Sequence, residues 1–215
     1  MRGFLAVGLA LGLGLACQSS APGVQGSGVA AGEDRTVEAF TRVELLGSAN
    51  LELEVGPAQR VRVEADDNIV PLLETTVSEG ALRIASRKGY STKTQPLVRA
   101  AAPVVTGVAL QGAGDVTARG IAGESFVATI KGAGNMNLAG TVGELELRIS
   151  GAGDVDASGL TAARVVVHIS GSGDVKVSAS ERVEAHISGS GDVKYAGGAK
   201  DVVRDVSGSG SVEPM

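Results

Sequence analysis

A Gly-x-Gly-Asp unit returns about every nineteen residues through the second half of this chain, and no other feature restricts its architecture as much. It reads Gly112-Ala113-Gly114-Asp115, Gly132-Ala133-Gly134-Asn135, Gly151-Ala152-Gly153-Asp154, Gly171-Ser172-Gly173-Asp174, Gly189-Ser190-Gly191-Asp192 and Gly208-Ser209-Gly210-Ser211. The steps between first glycines are 20, 19, 20, 18 and 19 residues. A fixed period of this size marks stacked coils, in which each repeat covers the apolar face of the next.

Aligned on the first glycine, the repeats show a period of two. Two residues before it stand Leu110, Ile130, Ile149, Ile169, Ile187 and Val206, and six before it Thr106, Phe126, Leu145, Val165, Val183 and Val202. Four after it stand Val116, Met136, Val155, Val175, Val193 and Val212, and six after it Ala118, Leu138, Ala157, Val177, Tyr195 and Pro214. Alternate positions share one side of a strand, so these columns are expected to point inward together. Polar residues such as Glu146, Arg148, Asp156, Lys176, Glu184, His186 and Lys194 fill the sites between. Helical spacing is absent and β-branched residues dominate, so the chain reads as strands.

Two strands and two corners in about nineteen residues make one coil of a parallel β-helix. The expected fold is therefore all-β, with neighbouring coils about 4.8 Å apart. The paired glycines supply the positive φ that a tight corner needs, and the Ala or Ser between them allows corners to stack closely. The alternative is antiparallel, with Gly-x-Gly-Asp as hairpin loops of a barrel or sandwich. The register kept across six repeats favours the parallel stack.

The start of the chain is expected to serve export. Met1-Arg2 is followed by an apolar run from Phe4 to Ala16, the length of a signal-peptide core and too short to span a bilayer. The only cysteine, Cys17, closes Leu13-Gly14-Leu15-Ala16-Cys17, which resembles a bacterial lipoprotein processing box, with Gly14 where that pattern carries Leu. The resemblance implies a signal peptide over 1–16, a lipidated Cys17, and, with Gln18 next to it, the outer membrane. Residues 17–35 are expected to be a flexible tether rich in Ser, Gly, Ala and Pro, and 36–215 a single domain. The formal net charge of −5 argues against nucleic acid as a partner.

The first half is less regular. Leu46-Gly47-Ser48-Ala49-Asn50-Leu51 looks like a worn copy of the corner, Gly56-Pro57 a turn, Asn68–Leu73 a bend, Glu79-Gly80 a break between strands, and 86–96 a polar loop. The run Val63-Glu-Ala-Asp-Asp-Asn-Ile69, then Leu73-Glu-Thr75 and Gly80-Ala-Leu-Arg-Ile84, is similar to the head GIN domain family, described as auto-transporter adhesins. Pro103 followed by a strand and the first Gly-Ala-Gly-Asp unit, and the terminal Ser207-Gly-Ser-Gly-Ser-Val212, extend the resemblance over about 36–215. It implies a right-handed parallel β-helix in an exported, lipid-anchored bacterial protein, and it brings no catalytic residues. Nothing in the sequence resembles the membrane barrel of an auto-transporter.

Three chemistries are weighed on the repeats. The column Asp115, Asn135, Asp154, Asp174 and Asp192 is expected to accept backbone N–H groups of its own corners. A sharper reading gives Ca²⁺ a site at Asp154, Asp156 and Asp174. His168 and His186 share a column and are expected to stack on an outer face, where two imidazoles could take a transition metal. An enzyme would use paired carboxylates such as Asp154 and Asp174 on a polysaccharide. No Trp and few aromatics are available to stack on sugars, and the long loops of a cleft are missing. The reading reached is a non-enzymatic, lipid-anchored envelope protein with an adhesin-like binding or structural role. Its expected partners are the membrane, a protein or glycan ligand, and a further copy through the coil ends.

Overall fold

The computed structural model describes residues 23–215. Cys17 and the signal-peptide segment lie outside the described residues. The strands run in chain order as β1 (Val24–Gln25), β2 (Ala30–Arg35), β3 (Arg42–Gly47), β4 (Asn50–Val55), β5 (Arg60–Asp66), β6 (Leu73–Ser78), β7 (Ala81–Ser86), β8 (Tyr90–Ser91) and β9 (Leu97–Ala102). They continue as β10 (Gly107–Gly112), β11 (Val116–Gly132), β12 (Met136–Gly151), β13 (Val155–Gly171), β14 (Val175–Gly189), β15 (Val193–Ala196), β16 (Asp201–Gly208) and β17 (Val212–Pro214). One 3-10 turn, Val70–Leu72, precedes β6.

From β10 onward the chain is a parallel β-solenoid. Strands β11 to β14 each serve two faces: the N-terminal part pairs on one, the chain bends, and the C-terminal part pairs on the other. Ile149 lies in register beside Ile169, and Ile169 beside Ile187, with all three strands parallel. The inward columns are buried along the stack, from Phe126, Leu145, Val165 and Val183 to Val116, Met136, Val155 and Val175. They fray only at their ends, where Thr106, Val206 and Pro214 face solvent. The unequal steps between repeats are absorbed at the second corner, because register shifts fall between Ala118 and Ile121, Asn137 and Ala139, and Ala157 and Thr161.

The first half builds a different object. The worn corner is a true coil: β3 pairs with β10 and β4 with β11, both parallel. The chain then leaves to the far side of that coil, where β7 pairs with β3 and β9 with β4, again parallel. Antiparallel strands finish the end, β6 on β7 and β5 and β2 beyond β9. The antiparallel alternative thus describes this cap and not the repeats. Charge alternates across the cap sheet: Asp34 pairs with Arg62, Arg62 with Glu64, Glu64 with Arg99, and Arg99 with Glu52.

The expectation of a flexible tether through residue 35 is corrected. β1 pairs with β8 and β2 with β5, so residues 24–35 form a strap bound to the cap. Composition missed this because the strap is held by partners far away in sequence. Asn68 accepts the Ser27 N–H at 3.0 Å and donates to the Gln25 carbonyl at 2.8 Å. Buried Asp66 accepts from the Thr92 hydroxyl at 2.8 Å and from the Gly28 N–H at 3.2 Å.

The other end is blunted by side chains. The inward column of Val108, Ala128, Leu147, Val167 and Ala185 continues to Arg204, which donates to the Tyr195 hydroxyl at 3.1 Å across the mouth of the core. An inward-pointing charge and the Pro214 of β17 are both ways in which sheets discourage edge-to-edge pairing.

Candidate functional site

Two features of the stack concentrate polar chemistry: the Gly-x-Gly-Asp corner and the outer groove beside it. At the corner the first glycines, Gly112, Gly132, Gly151, Gly171, Gly189 and Gly208, have φ between 135° and 143°. The second glycines, Gly114, Gly134, Gly153, Gly173, Gly191 and Gly210, have a different reason. A Cβ on any of them would sit 1.8–2.2 Å from a carbonyl oxygen of the preceding coil. Positive φ therefore explains only half of the pair, and close approach explains the rest.

The Asp column works between coils, not within its own corner as expected. The Asn135 N–H donates to Asp115 Oδ1 at 3.1 Å, Asp154 N–H to Asn135 Oδ1 at 3.2 Å, and Asp174 N–H to Asp154 Oδ1 at 2.8 Å. Asp192 N–H then donates to Asp174 Oδ1 at 2.9 Å and Ser211 N–H to Asp192 Oδ1 at 2.7 Å. Asn50 begins the ladder by accepting the Asp115 N–H at 3.0 Å. Each carboxylate or amide thus satisfies a donor that the turn leaves over.

The three residues proposed for Ca²⁺ are not gathered. Asp154 is turned to the Asp174 N–H, Asp174 to Asp192, and Asp156 to the hydroxyl and N–H of Ser158 at 2.6 and 3.0 Å. The Ser158 hydroxyl, then its N–H, hold the Asp156 carboxyl below its ordinary pKa. Among the described residues no group of three His, Cys, Asp or Glu side chains is placed to hold a metal ion.

The groove runs across the coils on the face that precedes the corner. Its floor is two rows in register: Thr129, Arg148, His168, His186 and Asp205, and beside them Lys131, Ser150, Ser170, Ser188 and Ser207. It encloses about 530 Å³. His168 and His186 stack as the columns predict, with ring centroids 5.0 Å apart and planes inclined by 8°. In parallel rings the nitrogen lone pairs lie in parallel planes and do not converge on one metal ion. His186 Nε2 lies 3.0 Å from Glu184 and Nδ1 3.4 Å from Asp205, and these carboxylates, Glu184 first, raise its pKa. A carboxylate therefore faces each ring nitrogen of His186. The groove offers rows of hydroxyl, imidazole and guanidinium groups suited to gripping a polar ligand. The serine row is legible in the alignment, one residue before each of the last four first glycines.

Comparison with known proteins agrees with this architecture. No curated protein matches the chain in sequence. Among solved structures it is similar to a Bacteroides fragilis protein described as a "putative adhesin", at 20% identity and a TM-score of 0.73, covering 90% of this chain and 100% of that one. A "putative adhesin" from Parabacteroides distasonis gives 18% identity and a TM-score of 0.58, covering 90% and 100%. One from Parabacteroides merdae gives 18% and 0.57, covering 91% and 100%. At these identities the likeness concerns the fold. Residues 39–199 match the model of the family described as "Putative auto-transporter adhesin, head GIN domain", so the chain belongs to the head GIN domain family.

Proposed function

We propose that this protein is a non-enzymatic binding rod of the bacterial envelope, exported by its signal peptide, anchored through a lipidated Cys17, and gripping a glycan or protein ligand in the groove from Thr129 to Ser207. The observation that carries the reading is the groove itself. It holds polar side chains at the spacing of the coils, and its best-placed histidine is engaged by carboxylates at both nitrogens. Such a surface favours repeated hydrogen bonding over bond-making chemistry. Family membership supports the adhesin-like part of the reading.

Two measurements test it. Mass spectrometry of the N-terminus recovered from the membrane fraction is expected to find an acylated Cys17; an unmodified leader would remove the anchor from the proposal. Binding of the intact protein to arrayed glycans and matrix proteins is expected to fall at least tenfold in Arg148→Glu with Ser170→Glu, two exposed positions in the groove. Equal binding by the intact and altered proteins would overturn the groove as the site.

A further inference from the structure

We infer that the cap end of the rod carries a second, electrostatic contact for an anionic bilayer surface, centred on the loop between β7 and β9. The first observation is charge. In a chain of net charge −5, residues 80–114 contain Arg83, Arg87, Lys88, Lys93 and Arg99 and no acidic residue. Arg99 is spent on Glu52 and Glu64, and Arg87 on Glu74. Arg83 lies in register beside Glu44. That leaves Lys88 and Lys93, both exposed, as the projecting cations of the loop.

The second observation is shape. Arg83, Ser86, Lys88 and Tyr90 line a concavity of about 470 Å³. Its rim is fixed to the start of the corner ladder, where Ser48 and Tyr90 hydroxyls lie 3.4 Å apart and Gln95 donates to the Ser48 carbonyl. A phosphate headgroup is an acceptor of the sign that Arg83 and Lys88 at this recess attract.

The third is position. The Val24 N–H donates to the Gly89 carbonyl at 2.8 Å and the Gly26 N–H to the Ser91 carbonyl at 2.7 Å, so the strap docks on the basic loop itself. Because the strap is bound from Val24 onward, the link to Cys17 can stretch no more than about 25 Å. A lipid at Cys17 therefore holds Lys88 and Lys93 near the headgroups, where each cation adds to the attraction of an anionic surface. The inference rests on the anchored reading above for this geometry, though not for the charge.

The test uses the full chain with Cys17→Ser in every protein, so that no acyl group contributes and the leader contributes equally throughout. Binding is measured to phosphatidylcholine vesicles with and without one third phosphatidylglycerol. The protein is expected to prefer the anionic vesicles, and the preference to vanish in high salt. Each cation near an anionic surface strengthens binding about fivefold, so Lys88→Glu with Lys93→Glu is expected to lower the preference about 25-fold or more. Lys176→Glu with Lys194→Glu, an equal charge change on remote coils, is expected to leave it unchanged. No preference in the starting protein, an unchanged preference in the loop variant, or an equal loss in the remote variant would each overturn the inference. Vesicle binding and acylation of Cys17 are read separately, so failure of one is not mistaken for failure of the other.

Discussion

The stack, β3 and β4 with β10 to β17, and the cap, β1, β2 and β5 to β9, solve the same problem by different means. Every strand needs partners at both edges and a covered apolar face. The stack obtains them by repetition: each coil repeats the same columns, the same paired glycines and the same side-chain-to-backbone ladder. The cap obtains them by reversal. Its antiparallel strands turn the sheet edges away from further coils, its charged residues pair across the sheet, and its strap is clasped by Asp66, Asp67 and Asn68. Repetition makes a structure intolerant of change at every copied position, whereas reversal concentrates importance in a few individual contacts.

That contrast can be broken most forcefully in the core. Phe126→Ala, at a fully buried site between Leu145 and Thr106, is expected to destabilise by about 3–5 kcal/mol and to lower the melting temperature sharply. Gly151→Ala is expected to cost about 3 kcal/mol, because φ is 135° there and the new Cβ would meet the Gly132 carbonyl. Its counterpart Gly56→Ala, with open space around it, is expected to stay within about 0.5 kcal/mol. If both glycines proved equally tolerant, the corners would not be what holds the coils in register.

A smaller effect separates ladder from metal site. Asp154→Ala is expected to cost about 0.5–1.5 kcal/mol by leaving the Asp174 N–H without its acceptor, and Asp154→Asn to restore most of it. Chelator is expected to leave the melting temperature of the unaltered protein where it was; a clear fall would revive calcium. In the cap, Asn68→Ala removes two hydrogen bonds to the strap. Hydrogen exchange over 24–35 is expected to rise about tenfold while the stack is unaffected. Loss of protection in β12 or β13 would show the two regions to be one cooperative unit.

The smallest effect is one of pH. His186 has a folded pKa raised by Glu184 and Asp205, so its stabilising contribution is complete below about 6.5 and is lost as pH rises through the higher folded value. His186→Gln is expected to flatten the stability profile over that interval alone. An unchanged profile would mean that the pair with Glu184 is loose in solution.

What could be read from the sequence followed from repetition. The stacking of Ile149, Ile169 and Ile187 and the pairing of His168 with His186 need only the period and strand alternation, and both hold. Direction was less accessible. Whether an Asp oxygen takes a donor of its own corner or of the next coil depends on which way the side chain is turned, and sequence has no marker for that. The second glycine of each pair reads as a positive-φ residue, because a carbonyl approaching from another coil leaves no local trace. The cap was the hardest part. β5 meets β9, and the strap meets β5 and β8, through contacts made once each, with no second copy to expose them. The basic run from Arg83 to Arg99 is offset in the net charge of −5 by acidic residues elsewhere in the chain.

One consequence follows from the order in which the chain lays down its coils. The first coil made, β3 with β4, ends up interior, closed on one side by the strands that follow it and on the other by β10 and β11. Duplication can therefore lengthen the molecule only on the C-terminal side of that coil, each added unit of nineteen or so residues extending it by about 4.8 Å. The cap would stay invariant while the opposite end gained height, an arrangement in which coils are added without rebuilding the strands that close the first one.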